Sequence, residues 1–398
     1  MSPTNRQLFL AHQAQTSKFP VLLEIAYAQG NYLFDTHGKK YLDLISGISV
    51  SHLGHGNERV KAAIIAQLNL HQHVMVYGEF VQSAQAQLAA KITSLLPPAL
   101  GSVYLLNSGA EATDVALKLA KRVTGRTTII ACKNAYHGST HAALSLNSDE
   151  TFKQAFRPLL PGISFIDFND LNAINAITEN TACVITEVIQ GEAGYIVANF
   201  EFLQALRQRC DETGALLIFD EIQSGMGKTG KMFAFENFGV VPDILLLGKA
   251  LGAGMPIGAV VSSQQRMHTF AENPSLGHIT TFGGHPVIAA AALEGIHVLL
   301  DSDLIPHVLE KEALFRKFLV HPAIKNVSGM GLMLAVELDT YKNNLSVILG
   351  CLKDGLISDW FLFASNRIRI SPPLTITPEE IYIACKIIIN NLNSVYGT

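Results

Sequence analysis

Residues 242–262 read PDILLLGKALGAGMPIGAVVS. Ile244–Leu247 is a short apolar run closed by Gly248, and a second run, Ala259–Val261, follows Gly252, Gly254, Pro256 and Gly258. Short apolar runs bounded by glycine predict buried strands. Lys249 then falls at the end of a buried strand, where an ammonium is costly without a partner. Either a carboxylate pairs with it, or it is kept as a reactive amine for Schiff-base chemistry. The stretch alone favours the ion pair. The rest of the chain reverses that.

Working upstream, Ala215–Phe219 predicts a strand running into Asp220, Glu221, Ile222 and Gln223. Ala182–Thr186 predicts another, followed by Glu187, Gly191 and Glu192, and residues 200–213 have a helical pattern. Thr128–Ala131 precedes the loop Asn134–Ser139, which holds Tyr136 and His137. Val103–Leu106 leads through Asn107, Ser108 and Gly109 into a helix with Glu111 and Asp114 placed in its first turn. Lys118, Lys121 and Arg122 are placed in its last turn, with Gly125 beyond it. That charge order complements the helix dipole, and a Ser-Gly turn at a helix N-terminus is a ready anion site. Alternating strands and helices predict an α/β fold, with a mostly parallel sheet covered on both faces. Ligands of such sheets bind beyond the carboxyl ends of the strands. Ser108, Tyr136, Glu187, Asp220 and Lys249 are therefore expected to converge on one rim.

The outer segments read as follows. Residues 1–20 predict a helix and an arm, and 21–45 a small strand meander with turns at Gly30 and Gly38. Ser46–Gly56, with His52 and His55, reads as a loop, and 58–96 as helical up to Pro97. Residues 286–300 predict an Ala-rich linking helix; beyond it lie helices at 306–319 and 378–394 and strands at 331–338 and 367–370. Residues 46–299 are assigned to a large cofactor-binding domain, and 1–45 with 300–398 to a small α+β domain. The tripeptide Gly227-Lys228-Thr229 is not a P-loop, because Ile222 stands where that motif needs glycine.

With 48% hydrophobic and 16% charged residues the 398-residue chain can bury a large core. A net charge of −4 with scattered cations gives no nucleic-acid surface. Five spaced cysteines without a CxxC motif read as reduced thiols, with no zinc site or other metal. No signal peptide or membrane-length apolar run is read, so the expected location is the cytoplasm.

A phosphate cradle, an aromatic ring, an acid and a lysine on one rim suit pyridoxal 5'-phosphate. The helix start at Ser108, Gly109 and Ala110 would hold the phosphate, and Tyr136 would stack on the pyridine. Asp220 would keep the ring nitrogen protonated, making the ring an electron sink. Lys249 would bond the cofactor and then move the proton as general acid and base.

The chain resembles the class III pyridoxal-phosphate aminotransferases, the group of the ornithine, acetylornithine and 4-aminobutyrate enzymes. The resemblance runs through NSGAEATDVALKLAK, AYHGST, TEVIQGEAG, LLIFDEIQSGMGKTG, PDILLLGKALGAGMPIGA and TTFGGHP to RIRISPPLTIT. It implies a fold type I homodimer with Lys249 as the Schiff-base lysine and Asp220 on the ring nitrogen. Gln223 would lie near the ring hydroxyl, and Thr281 would reach the partner's phosphate site. Arg369 would grip a substrate carboxylate, and Glu192 would neutralise it when the substrate end is uncharged or cationic. His137 and Glu187 either line the cofactor or orient the loop. The glycines after Lys249 would leave room for the cofactor and the neighbouring chain.

The chain departs from the resemblance at the substrate end. Ser139 stands where ornithine and acetylornithine enzymes carry an arginine for the α-carboxylate, a contact worth ~1.5–3 kcal/mol. Ile48 replaces a tyrosine of the ornithine enzyme. The resulting expectation is transfer of an amino group from a distal amine lacking an α-carboxylate to a 2-oxo acid such as 2-oxoglutarate or pyruvate. An acetylornithine- or ornithine-type enzyme, an aminomutase or decarboxylase of the same fold, and a non-catalytic oligomeric binding protein are the alternatives.

Overall fold

The computed structural model describes residues 3–397. Its centre is a seven-stranded sheet in the order Ser102–Leu106, Gly258–Ser262, Ile244–Gly248, Leu216–Asp220, Thr181–Glu187, Thr128–Cys132 and Ile163–Ile166. Gly258–Ser262 runs antiparallel to both of its neighbours, and the other adjacent pairs are parallel. The predicted α/β arrangement with a mostly parallel sheet is what the chain forms.

Alternation along the strands decides where the core lies. Ile244 and Leu246 join one apolar cluster, with Ala112, Val115 and Leu119 of the helix Gly109–Thr124. Leu245 and Leu247 join the other, with Phe202, Leu203 and Leu206 of the helix Phe200–Thr213. A strand buried on both faces needs apolar side chains at every position, which is why these strands read as unbroken apolar runs. The helix Gly109–Thr124 is capped by Ser108, whose Oγ accepts from Glu111 N at 3.2 Å, and ends at Gly125 with φ 69°. Such an αL residue past the last turn is the common glycine stop.

The chain ends come together. Ile25–Gln29, Tyr32–Asp35 and Lys40–Asp43 form the predicted meander, and Leu356–Ile357 adds to it in parallel. Asn326–Met330, Met333–Glu337 and Arg367–Ile370 make a separate antiparallel sheet, and Pro378–Tyr396 is the final helix.

Several local expectations need correction. The helical stretch 58–96 is two helices, Glu58–Leu70 and Ser83–Ser94. The chain turns extended at His71, whose φ is −167°, and the residues that follow, including Val74, Val76 and Tyr77, favour extended backbone. Asp114 lies beyond the first turn of its helix, where only Glu111 sits. The strands Ile163–Ile166 and Asn326–Met330 and the helix Tyr341–Lys353 had no reading. Four- and five-residue segments such as ISFI and NVSGM are too short for periodicity to separate from loop.

No helix among the described residues is long and apolar enough to cross a membrane. The five cysteines are free and buried.

Candidate active site

The carboxyl ends of the parallel strands open into a cleft of about 210 Å³. Gly109, Ala110, Tyr136, Ser139, Glu187, Glu192, Asp220, Gln223 and Lys249 are among its lining residues. These side chains come from five separate strand ends. Of the residues expected on the rim, Tyr136, Glu187, Asp220 and Lys249 line this cleft, while Ser108 caps the helix and its neighbours Gly109 and Ala110 line the cleft instead.

Glu187 and Asp220 are the last residues of neighbouring parallel strands and are in register. Side chains in register on parallel strands share a face, so the two acids stand side by side. They have different partners. Asp220 Oδ2 accepts from His137 Nδ1 at 2.7 Å, and Oδ1 accepts from Ile222 N at 3.0 Å. Glu187 accepts from Tyr136 N at 3.2 Å and from Gly191 N at 2.8 Å. Burial pushes the Glu187 carboxyl up to about 7; the Asp220 charge adds to this and the His137 charge opposes it. For His137, burial works to lower the pKa, but the Asp220 hydrogen bond and charge raise it on balance. His137 is therefore the hydrogen-bonded support of Asp220, a firmer place than its loop position suggests.

The helix Gly109–Thr124 holds the loop that carries Tyr136 and His137. Thr113 Oγ1 donates to His137 O at 2.9 Å, and Asp114 accepts from Thr140 Oγ1 at 3.0 Å and Ala143 N at 3.1 Å. Gly138, at φ 126°, lies so close to this helix that a Cβ there would stand 2.6 Å from Ala110 Cβ. Asp114 thus serves the loop, not the helix dipole.

Lys249 follows the strand Ile244–Gly248 with φ 45°, in the left-handed region that non-glycine residues seldom occupy. Burial lowers its pKa to about 8, against the attraction of Glu192. That leaves a usable fraction of free amine near neutral pH. The reading of the following glycines changes at Gly258. A Cβ there would lie 2.0 Å from Ser108 O, so this glycine makes room for the chain's own turn at Ser108.

Arg369 lies behind Glu192 and is 2% exposed. Its Nη2 donates to both Glu192 oxygens at 3.0 and 2.9 Å, and its Nε to Asp359 Oδ1 at 2.8 Å. Arg367 is engaged elsewhere, with Glu337 at 2.8 Å and Gly194 O at 3.1 Å. Asp359 had no reading in the sequence; its one signal is an acid ten residues before Arg369 in the aromatic stretch DWFLF. Ile48, half-buried at φ 63°, and Thr281, exposed, are not among the residues lining the cleft of this chain. His52 Nδ1 contacts Met226 O at 3.0 Å and His55 Nε2 contacts Asp43 at 2.9 Å, so both have structural partners. Among the described residues no cluster of His, Cys, Asp or Glu is arranged to hold a metal.

The residues present fit pyridoxal phosphate. Gln223 Oε1, a lining residue's oxygen, is buried without a partner, an arrangement that asks for a donor from a bound group. The amine, the acid backed by a histidine and the helix N-terminus also open on the same cleft.

Comparison with known proteins agrees with this chemistry. Residues 13–392 match the family model "Aminotransferase class-III". The chain is 39% identical over 365 residues to the acetylornithine aminotransferase of Bacillus subtilis, covering 90% of this chain and 92% of that one. It is also 39% identical over 371 residues to the putrescine aminotransferase of Pectobacterium atrosepticum, covering 88% and 78%. The structure of the ornithine aminotransferase of Toxoplasma gondii, with partial occupancy of PLP at its active site, superposes with a TM-score of 0.91. That pair is 31% identical, with 98% of this chain and 93% of the other covered. With its strand-end lysine and its acid at the floor of the cleft, the chain belongs to the class III aminotransferases, enzymes that depend on pyridoxal phosphate.

Proposed function

We propose that this aminotransferase takes its amino group from a distal amine lacking an α-carboxylate and delivers it to a 2-oxo acid such as 2-oxoglutarate or pyruvate. The observation that carries this is the charge of the cleft. Lys249 is the one lysine or arginine among its lining residues, beside the acids Glu192 and Asp220 and the Glu187 carboxyl that burial pushes up to about 7, and position 139 is a serine. Such a wall suits a cationic or neutral substrate end. A carboxylate can be accepted only where Glu192 uncovers Arg369.

Pyridoxal phosphate, when bound, supplies the electron sink that the chain itself lacks. The helix start at Ser108, Gly109 and Ala110 would hold its phosphate, with Tyr136 on the ring and Gln223 near the ring hydroxyl. Asp220, fixed by His137, would hold a proton at the ring nitrogen. Lys249 Nζ would bond the cofactor and, once freed by the donor amine, take a proton from the donor's amine-bearing carbon and pass it to the cofactor's former aldehyde carbon. Glu187, through Tyr136 N and Gly191 N, holds the loop and the following turn in place. Ser139 lies 3.2 Å from the Tyr136 hydroxyl, and an uncharged side chain would face the donor there.

The proposed division places cofactor binding in residues 46–299, with 1–45 and 300–398 as a smaller part carrying Arg369. A cytoplasmic homodimer, with Thr281 reaching the partner's phosphate site, is supported by the exposed apolar side chains Phe80, Val81 and Phe282, and by five free buried thiols. A screen of purified holoenzyme tests the substrate reading. Putrescine and other diamines should outperform N-acetylornithine and ornithine as donors to 2-oxoglutarate or pyruvate. Activity confined to donors with an α-carboxylate would overturn it.

A further inference from the structure

Residues 359–363 wrap both members of the Arg369–Glu192 pair. Asp359 Oδ1 accepts from Arg369 Nε at 2.8 Å, and Trp360 O accepts from Nη2 at 3.3 Å. The Phe361 ring centroid lies 4.3 Å from Arg369 Cζ. Leu362 N donates to Glu192 Oε2 at 3.1 Å, and Phe363 N donates to Glu192 O at 3.1 Å. The backbones are tied as well, with Arg369 N donating to Asp359 O at 2.8 Å and Ser358 Oγ to Arg369 O at 2.7 Å.

The two acids on Arg369 are not equivalent. Glu192 faces the open cleft; apart from Arg369, its carboxylate is held by Leu362 N. Asp359 is not among the cleft-lining residues, and it takes the Nε edge of the guanidinium. Nη1 has only a long contact, to the Tyr195 hydroxyl at 3.5 Å. If Glu192 turns away, Nη1 and Nη2 are left as a two-donor edge while Nε stays anchored.

We propose that Asp359 is a positioning residue that fixes the Arg369 guanidinium, so that its Nη edge is presented to the acceptor's carboxylate whenever Glu192 withdraws. This rests on the reading of Arg369 as the acceptor's grip. The effect is geometric. Exchange of the Glu192 carboxylate for a substrate carboxylate leaves the charge around Arg369 unchanged, so repulsion from Asp359 cancels to first order. What does not cancel is orientation: a guanidinium anchored at Nε loses less freedom when it forms a paired contact.

Calorimetric titration of holoenzyme with glutarate, a dicarboxylate without an oxo group, tests this. Asp359→Ala should weaken glutarate about tenfold. Asp359→Asn, whose amide oxygen still accepts from Nε, should stay within about threefold of the parent. The KM for 2-oxoglutarate should follow the glutarate affinities, while the KM for the donor amine and the absorbance of the bound cofactor stay unchanged. Arg369→Ala serves as the reference and should lose glutarate binding. If Arg369→Ala binds glutarate as the parent does, or the parent does not bind it, the assignment of Arg369 fails and that of Asp359 with it. If Arg369→Ala loses binding while Asp359→Ala matches the parent, or Asp359→Asn is as weak as Asp359→Ala, the Asp359 proposal alone is overturned.

Discussion

Replacing Glu192 by glutamine tests how the site serves two substrates of different charge. Burial works to raise the Glu192 pKa, but the Arg369 charge and hydrogen bonds outweigh it, so the carboxyl sits below its ordinary range and is ionised. Both oxygens lie on Arg369 Nη2, at 3.0 and 2.9 Å. An acceptor carboxylate must displace this contact before it can pair with Arg369. Hydrogen bonds between charged partners contribute ~1.5–3 kcal/mol and ordinary ones ~1 kcal/mol, so losing the charge at position 192 removes about 0.5–2 kcal/mol of the competition. Glu192→Gln should lower the KM for 2-oxoglutarate by about 2- to 30-fold. The same exposed guanidinium should admit 2-oxoglutarate in the half-reaction meant for the amine, giving substrate inhibition and a raised KM for the donor. Steady-state rates over a grid of donor and acceptor concentrations measure all three. An unchanged KM for 2-oxoglutarate with no new inhibition would mean that Glu192 does not gate Arg369.

Two further outcomes follow from buried amines. In cofactor-free protein, the rate at which Lys249 captures pyridoxal phosphate should fall as pH drops below about 8, because capture needs the free amine. A rate still climbing above pH 10 would show an unperturbed lysine, and Lys249→Ala should abolish both capture and turnover while the cofactor-free chain still folds and melts cooperatively. Lys228 is fully buried and donates to Pro372 O at 2.6 Å. Burial lowers its pKa from 10.5 to about 7, with Asp43 partly opposing. The unfolded chain therefore binds the extra proton between those pH values, and stability rises with pH across that window. Below about pH 7 the full burial cost, about 5 kcal/mol, is present. Lys228→Met should thus stabilise the chain most below pH 7, by about 2–4 kcal/mol after the loss of the Pro372 contact, with the gain shrinking towards pH 10. Denaturant melts at pH 6.5 and 9.5 check the sign.

The parts of the site that were legible share a physical cause. A strand buried on both faces must be apolar throughout, so Ile244–Leu247 and Leu216–Phe219 stand out, and the residues at their ends are placed by the topology of a parallel sheet. Asp220 and Lys249 were readable in this way, and so was the helix start at Ser108. His137 was undervalued because its partner, Asp220, is 83 positions away. Asp359 was missed because its meaning depends on the edge of the Arg369 guanidinium that it occupies. Beyond its exclusion from a P-loop, Lys228 carries no signal in GKTG, yet the packing around Pro372 buries it completely.

Local chemistry and strand order were enough to determine the α/β class and to place Lys249, Asp220, Glu187 and Tyr136 on one cleft, because periodicity and chain direction are properties of consecutive residues. The resemblance already implied Glu192 on Arg369; the tertiary structure alone decided that Asp359 takes the Nε side of that guanidinium, that His137 lies on Asp220, and that Gly258 lies under Ser108. Such contacts join segments up to 177 positions apart, and they are set by how the elements pack. The charge that a substrate meets in this cleft is a property of that packing.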